Sequence, residues 1–303
     1  MKILITGATG LIGTRLVALL SEKKFDIHYL TLHQHEINNR EGVRGFLWDP
    51  LRGKIDENSM IGVDVIVHLA GAPIAKRWTS AYKQEIIESR TMSANLLYKT
   101  LKSNPHQVKH IISASAIGIY PDSLTKHYTE SNTETDDSFL GNVVVKWENS
   151  INKFRQLDIS VCKIRTGLVL AREGGVLQEL VKPVKLGVGA PFGTGHQWQS
   201  WIHINDVVAL YHYAIVNQLD GIYNATAPNP VTNKTLTVAI AKQLHIPLFL
   251  PAVPRFLMKL LLGEMHMLLF SSQYVLPKKA QDNGFTFEYT QLEPALHDLL
   301  SDN

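Results

Sequence analysis

Cysteine and long apolar runs are both scarce in this sequence of 303 residues. Cys162 is the one thiol, which excludes an intramolecular disulfide framework, and its place in the apolar stretch 159–164 indicates a buried core residue. The most membrane-like stretch, 252–270, contains two basic residues, a glutamate and a histidine, and such charges are costly in a bilayer. We therefore expect no membrane span and interpret 252–270 as an amphipathic helical segment that covers a pocket or a subunit contact.

A strong charge of one sign is also lacking. The formal net charge is +3, from 30 basic and 27 acidic side chains spread along the chain, so the sequence shows no footprint for nucleic acid. No secretion signal is recognisable before the first apolar run, 3–5, which meets glycine at once. With 45% hydrophobic residues a sizeable core is available. We expect a folded, cytoplasmic protein without a metal site.

A glycine-rich start is the most informative feature that the sequence does have. Residues 1–13 read MKILITGATGLIG, in which three glycines follow an apolar strand and precede a predicted helix at 11–20. Glycines let the backbone approach a pyrophosphate closely, and the free N–H groups at the helix N-terminus favour its charge. The pattern predicts a dinucleotide-binding turn. Its expected binding residues are Gly7, Thr9, Gly10, Leu11, Ile12 and Gly13.

Strand-like and helix-like segments alternate through the first half of the chain. This order predicts an α/β fold with a Rossmann-type, doubly wound parallel sheet and a smaller, mostly helical C-terminal substrate domain. The predicted strands are 2–6, 27–32, 46–48, 63–68, 110–114, 159–164 and 221–225. The predicted helices are 11–20, 80–102, 139–155, 205–216, 233–244, 253–262 and 292–300.

The predicted division into domains follows a change in the sequence pattern after residue 165, where the regular alternation of strand-like and helix-like segments ends. Residues 1–165 are expected to bind the dinucleotide, with 203–230 returning to that domain, while 166–202 and 231–303 form the substrate or lid domain. A glycine- and aromatic-rich loop in this second part contains Phe192, Trp198 and Trp201. Long loops of this kind are usually functional or disordered, and the tryptophans argue against disorder. We expect this loop and the helix near 252–262 to roof the substrate cleft.

The end of the second strand bears on the choice of cofactor. NAD-binding domains place an acid about 20 residues past the glycines to receive the ribose hydroxyl. Here no acid occurs between His28 and His35, which removes a group that would repel a 2′-phosphate. The sequence therefore favours NADP(H) over NAD(H). Two strand ends are expected to contact the nucleotide. The end of this second strand contributes Thr31, Leu32 and His33, and the end of the predicted strand 63–68 contributes Leu69, Ala70 and Gly71.

Two motifs suggest a family. The fifth strand ends in SASAIGIY, residues 113–120, and KWE, residues 146–148, lies in the next long helix. With these motifs the chain resembles the extended short-chain dehydrogenase/reductase superfamily. Within it the chain resembles an epimerase-like branch often labelled as sugar-nucleotide epimerases or cell-division inhibitors. The resemblance covers essentially the whole chain. Further matching segments are 71–78, 89–90, 165–170, 186–206 and 224–231.

The resemblance implies a catalytic machinery with one member missing. In the superfamily a serine holds the substrate oxygen, a tyrosine exchanges a proton, and a lysine four residues later lowers the tyrosine pKa and binds the nicotinamide ribose. Ser115 and Lys146 match two of these places. The position four residues before Lys146 is Asn142, an amide that cannot act as a general acid or base. Other residues that the resemblance places at the nucleotide are Glu85, Arg90 and Leu168.

Three hypotheses for the missing tyrosine remain open. Tyr120 replaces it, or merely lines the pocket. His203 or another group in the segment 198–206 donates the proton, or His203 merely packs at a helix start. Otherwise the chemistry is slow or absent and cofactor binding is retained. The resulting prediction is an NADP(H)-dependent oxidoreductase or epimerase for a small carbonyl or hydroxyl compound or a nucleotide-sugar. A non-catalytic NADP(H)-binding sensor is the alternative, and a homodimer through 252–270 stays open.

Overall fold

The central strands are short apolar runs rather than alternating ones, because they are buried on both faces. In Lys2–Thr6 every residue after Lys2 is buried, and all of Val65–His68 is buried. Parallel strands between two layers of helices require this pattern. The computed structural model describes residues 1–301, and the sheet built from such strands lies at its centre.

The described residues form the following elements, besides short 3₁₀ turns. The strands are β1 (Lys2–Thr6), β2 (Asp26–Thr31), β3 (Val43–Asp49), β4 (Lys54–Ile55), β5 (Val65–His68), β6 (His110–Ala116), β7 (His127–Tyr128), β8 (Ser160–Thr166), β9 (Leu168–Leu170), β10 (Trp198–Gln199), β11 (Trp201–His203), β12 (Gly221–Ala225), β13 (Val231–Thr232) and β14 (Tyr274–Val275). The helices are α1 (Leu11–Glu22), α2 (Ser80–Ser103), α3 (Phe139–Asn152), α4 (Gly175–Lys185), α5 (Ile204–Val216), α6 (Asn233–Gln243), α7 (Arg255–Leu262), α8 (Met267–Phe270), α9 (Lys278–Asp282) and α10 (Leu292–Leu300).

The main sheet has eight strands in the order β12-β8-β6-β5-β1-β2-β3-β4. Its pairs are parallel, except that the short β4 runs antiparallel to β3 at one edge. From β1 the chain adds β2 and β3 on one side and later β5, β6, β8 and β12 on the other. The fold is therefore the predicted doubly wound, Rossmann-type sheet. Its switch point between β1 and β5 is where such sheets bind ligands.

Two hydrophobic layers cover the sheet, and β1 shows how the sequence assigns residues to them. Ile3 and Ile5 belong to the layer that contains Leu16 of α1 and the apolar face of α5. Leu4 points to the opposite face, into the layer that contains the apolar residues of α2 and α3. Successive side chains of a strand alternate between faces, so one apolar run supplies both cores.

Several boundaries differ from the sequence prediction. Helix α4 was not expected, because Gly174 before it, Gly175 at its start and Pro183 within it resemble helix breakers. Helix α3 ends at Asn152 and continues as a 3₁₀ turn, so it is shorter than predicted. Helix α7 lies within the predicted helix 253–262, whereas the rest of the segment to 270 forms a 3₁₀ turn and α8 rather than a continuation of that helix. Among residues 1–301 no helix combines the length and apolarity needed to cross a membrane.

Candidate functional site

The glycine turn after β1 forms a cradle that only glycine permits. Gly7 adopts a φ of +69°, and its carbonyl accepts a hydrogen bond from the Gly10 N–H at 3.1 Å. A Cβ added to Gly13 would lie 2.1 Å from that same carbonyl oxygen. No side chain caps α1, whose first turn also lacks acids. Its N-terminal N–H groups therefore face an open site suited to a pyrophosphate, as the residues of a dinucleotide cradle should.

A buried histidine fixes the loop that faces this cradle. The Thr6 hydroxyl accepts hydrogen bonds from the N–H groups of Leu69 and Ala70 at 3.2 and 3.1 Å. The same hydroxyl lies 2.8 Å from Nδ1 of His68, whose Nε2 lies 3.2 Å from the Ser93 hydroxyl. Burial lowers the pKa of His68 to about 4, so its ring stays neutral at physiological pH. The predicted cofactor residues Leu69 and Ala70 are thus held in one position.

The end of β2 is less free of acid than the sequence window indicated. Leu32 is exposed, and His33 stacks on His35 with ring centroids 5.4 Å apart. The Thr31 hydroxyl donates a hydrogen bond to the carboxylate of Glu36. Glu36 lies one residue beyond the window from His28 to His35. The window itself is free of acid as predicted, but the Glu36 carboxylate just beyond it reaches the same strand end.

A cleft with a volume of about 290 Å³ opens at the carboxyl ends of β6 and β8. One wall is the face of α3, and the opposite wall comes from the chain around β10 and from the C-terminal part. The residues that line it include Arg90, Ala116, Asp122, Asp136, Leu140, Val143, Val144, Trp147, Thr166, Leu168, Trp198, Arg255, Phe270 and Gln273. The cleft thus combines a largely apolar surface with two carboxylates and two guanidinium groups.

None of the three predicted catalytic residues lines this cleft. Ser115 is buried and donates a hydrogen bond to the Glu148 carboxylate at 2.7 Å. Tyr120 is fully buried, and its hydroxyl donates to Oδ1 of Asn224 at 2.9 Å; burial raises the pKa of this phenol. Lys146 is exposed on the outer face of α3. The structure does not bring the three together.

Apolar side chains occupy the face of α3 that looks into the cleft. Leu140 and Val144 both line it and are four residues apart, the spacing at which helical residues share a face. Lys146 lies roughly 200° around the helix from Val144. Asn142 is likewise exposed, and its amide donates to backbone carbonyls of the preceding turn. The cleft-facing pairs with this spacing, Leu140 with Val144 and Val143 with Trp147, carry apolar side chains where a tyrosine–lysine pair would need its polar groups.

Beneath the cleft a buried carboxylate accepts hydrogen bonds from three polar side chains. Glu148 accepts hydrogen bonds from Nε of Arg165 at 2.8 Å, from Nζ of Lys163 at 3.2 Å and from the Ser115 hydroxyl. Arg165 also lies over the Tyr120 ring, 5.0 Å from its centroid. Burial alone would raise the pKa of Glu148, but the hydrogen bond and charge of Arg165, with Lys163 and Ser115, lower it overall. Glu148 is therefore ionised and pairs with two buried cations.

Arg90 is the cationic group most deeply set in the cleft. Its Nη1 donates to the carbonyls of Ala72 and Ile86 at 3.1 and 3.0 Å, and its guanidinium lies 5.0 Å from the Trp147 ring centroid. No carboxylate of residues 1–301 forms an ion pair with it. Burial lowers the pKa of Arg90 to about 10, so it remains charged near neutral pH. A desolvated guanidinium without an acidic partner suits an anion in the cleft.

The remaining predicted residues divide between cleft and body. Leu168 lines the cleft, whereas Glu85 is exposed on α2 and does not. His203 is buried and caps α5 by accepting the Asn205 N–H at 3.1 Å, away from the cleft. Burial lowers the pKa of His203 even though its Nε2 lies 3.1 Å from Asp298.

The aromatic loop contributes only part of the expected roof. Trp198 lines the cleft, and its Nε1 donates to the Leu124 carbonyl at 3.0 Å. Trp201 is fully buried in the core, and Phe192 does not line the cleft. Trp147 and its neighbours on α3 were missed, although their spacing of three and four residues could have shown the face. No pattern in the local sequence marked Arg255 of α7 as a residue of the cleft.

Two family models match the chain. The NAD dependent epimerase/dehydratase family matches residues 3–226, and a domain of unknown function (DUF1731) matches residues 253–299. An epimerase family protein of Staphylococcus aureus is 38% identical over 302 residues, with 98% of each chain covered. An epimerase family protein of Bacillus subtilis is 36% identical over 303 residues, covering 100% of this chain and 99% of its own.

A similar solved structure carries a cofactor. A human epimerase family protein crystallised with NADPH superposes with a TM-score of 0.85 at 28% identity, and 99% of each chain is covered. The likeness extends from the glycine turn to the C-terminal helices.

Replacing Glu148 by glutamine should destabilise the protein strongly, because Arg165 and Lys163 then lose their buried counter-charge. Breaking one side of a buried ion pair typically costs about 3–5 kcal/mol. Urea unfolding at neutral pH measures the loss. The folded pKa of Glu148 is lowered, so the carboxylate stabilises the fold above the pKa of an unfolded glutamate, and this contribution fades as the pH falls. The gap between wild type and Glu148→Gln should therefore narrow in acid; a constant gap would contradict the cluster.

Replacing Tyr120 by phenylalanine should leave cofactor affinity and any turnover unchanged, since its hydroxyl points away from the cleft toward Asn224. Stability should fall by about 1 kcal/mol because the Asn224 side chain loses a buried partner. Steady-state kinetics and urea unfolding on the same preparation measure both quantities. A loss of turnover with unchanged stability would instead make Tyr120 the replacement for the missing tyrosine.

Proposed function

Since this chain belongs to the NAD dependent epimerase/dehydratase family, we propose that it is an NADP(H)-dependent oxidoreductase or epimerase for a small carbonyl or hydroxyl compound. Family membership agrees with the resemblance read from the sequence motifs. The observation that carries the proposal is the glycine cradle at 7–13, which opens at the switch point of the sheet. A cleft with a desolvated guanidinium, Arg90, completes the site.

The cofactor would be held by the chain's first turn and by the two strand ends beside it. The N–H groups at the start of α1 would bind the pyrophosphate, while the ordered loop at Leu69 and Ala70 flanks the nucleotide. Arg90 and Leu168 would meet its far end in the cleft. The NADPH bound by the human relative supports NADP(H) as the cofactor. When bound, this cofactor supplies or accepts a hydride at a carbon of the substrate.

The size and lining of the cleft favour a compact substrate. Its volume of about 290 Å³ lies just below the range of about 300–1,000 Å³ that ligand pockets span. Trp147, Trp198 and Phe270 offer flat apolar surface, and Gln273 offers a hydrogen-bonding amide. A small planar carbonyl compound matches this space better than a nucleotide-sugar.

Proton transfer in this cleft falls to groups other than tyrosine and lysine. The titratable side chains that line it are Arg90, Arg255, Asp122 and Asp136. Asp122 is positioned by the Ser272 N–H at 2.7 Å and Asp136 by the Ser138 N–H at 2.9 Å, each through Oδ1. We assign the exchange of a proton to one of these carboxyl groups or to water ordered by them.

One observation favours the alternative of a non-catalytic NADP(H) sensor. Leu140 and Val144 present hydrocarbon where a proton-relaying pair would stand. A sensor would bind the cofactor tightly and leave it unchanged with every carbonyl compound offered. NADPH oxidation that appears with one of a panel of aldehydes and ketones, and that falls in Asp122→Asn or Asp136→Asn, would exclude the sensor.

The cofactor proposal is tested by titrating the protein with NADPH and with NADH, following nucleotide fluorescence. NADPH should bind more tightly. Arg90→Gln should weaken it about tenfold or more, since a hydrogen bond to a charged group contributes about 1.5–3 kcal/mol. Arg77→Gln is the matched control, because Arg77 is exposed and lies outside the cleft. Absence of binding by either nucleotide would refute the proposal.

Glu36→Gln should tighten NADPH binding and change NADH binding little. The Glu36 carboxylate is held at the end of β2 by Thr31, where a 2′-phosphate would meet its negative charge. Removing one like charge at close range is expected to improve binding several-fold at low salt and less at high salt. Glu41→Gln, an exposed acid on the following turn, serves as the control. Equal effects of Glu36→Gln on both nucleotides would place the 2′-phosphate elsewhere.

A further inference from the structure

Large apolar side chains are exposed on one side of the C-terminal part. We name this feature the apolar surface. Its members are between 52% and 79% exposed. They are Leu186, Val188, Phe249, Phe256, Leu260 and Leu261. Scattered exposed leucines need no explanation, but a group of this size on one surface marks an interaction site.

The two chain segments that form the apolar surface are joined by backbone contacts. A β-bridge links Phe192 to Val253, and the Gly193 N–H donates to the Val253 carbonyl at 2.8 Å. A Cβ on Gly189 would lie 3.1 Å from the Leu248 side chain, so the loop after α4 runs beside the chain that leads into α7. The exposed residues thus belong to one region. None of the eight residues of α7 is buried, and the helix stands out from the body.

Positive charge surrounds this surface. Arg255 and Lys259 are four residues apart on α7 and form a stripe beside that of Phe256 and Leu260. Lys185 adjoins the loop segment. Within the described chain none of these three cations has a carboxylate at ion-pair distance. The acid that follows α7, Glu264, is paired with Lys83.

We propose that the apolar surface docks on an anionic lipid bilayer, with α7 lying in the interface. A protruding helix with phenylalanine and leucine on one stripe and cations on the next matches interfacial helices, which bind through apolar insertion and attraction to anionic lipids. A symmetric dimer through the same surface would bring both copies of its three cations, unpaired within residues 1–301, into one interface, which disfavours a second copy as the occupant. A protein partner would need a groove for α7, whereas a bilayer accepts a protruding helix without shape complementarity. Arg255 also lines the cleft, so the cleft mouth would face the lipid.

Flotation of the full-length protein with vesicles tests this proposal. Binding is expected to vesicles of phosphatidylcholine and phosphatidylglycerol in equal parts, much less to phosphatidylcholine alone, and less at high salt. The double variant Phe256→Ser, Leu260→Ser should lose at least about tenfold in partitioning, since each buried side chain contributes strongly. Its matched control is the double variant Leu51→Ser, Ile61→Ser. It changes two residues that are 65% and 63% exposed and lie outside the apolar surface, so it should bind like wild type.

A second pair of variants separates charge from apolar insertion and guards against misfolding. Lys185→Gln, Lys259→Gln should lower partitioning about fivefold for each lysine, whereas the exposed pair Lys99→Gln, Lys102→Gln should change little. Circular dichroism verifies the fold of every variant. Failure to bind anionic vesicles at low salt, or equal losses in variants and controls, would overturn the proposal. So would a dimer, seen by light scattering, that Phe256→Ser, Leu260→Ser dissociates, because a second copy would then cover the surface.

Discussion

The buried charge of Glu148 is the constraint on which the rest of the candidate site depends. A carboxylate removed from water must be neutralised and hydrogen-bonded, and Glu148 achieves this with Arg165, Lys163 and the Ser115 hydroxyl. These partners come from β6 and β8, so the cluster ties α3 to two adjacent strands. The consequence is that Ser115, which the family resemblance assigns to the substrate, is engaged beneath the cleft, and Arg165 covers the Tyr120 ring.

The rotational orientation of α3 about its axis decides which of its side chains face the cleft. Asn142 and Lys146 satisfy the spacing of four residues, yet spacing does not say which side of a helix faces the sheet. Leu140, Val144 and Trp147 bury the apolar side, which turns Lys146 toward solvent. The hydrophobic pattern of α3 therefore outweighs the motif. This is why family membership and an intact cofactor cradle accompany a cleft without the usual proton relay.

The cofactor side of the molecule is built differently, since backbone geometry rather than side-chain chemistry defines it. Gly7 and Gly13 approach so closely that a Cβ cannot fit, and this close approach carries β1 directly into α1. Thr6 and the neutral His68 then fix the neighbouring loop. Glu36 is an exception, since it adds a side-chain charge to a region otherwise defined by the backbone. Its carboxylate reaches Thr31 because the chain folds back after β2. In the proposed function, an anionic cofactor would therefore be held by backbone dipoles and by Arg90 more than by surface charge.

The sequence by itself determined the fold class, the order of most strands and helices, and the glycine cradle. These features rest on local rules: short apolar runs, helical periodicity and residues that only a tight turn accepts. Helix α4 was not predicted because Gly174, Gly175 and Pro183 resemble helix breakers when only the local sequence is considered. Only the tertiary structure decided that Ser115, Tyr120 and Lys146 lie outside the cleft and that Arg90, Asp136 and Arg255 lie in it. Those outcomes depend on which helix face is buried and on charges that meet across distant segments, and neither is encoded in the spacing of any one motif.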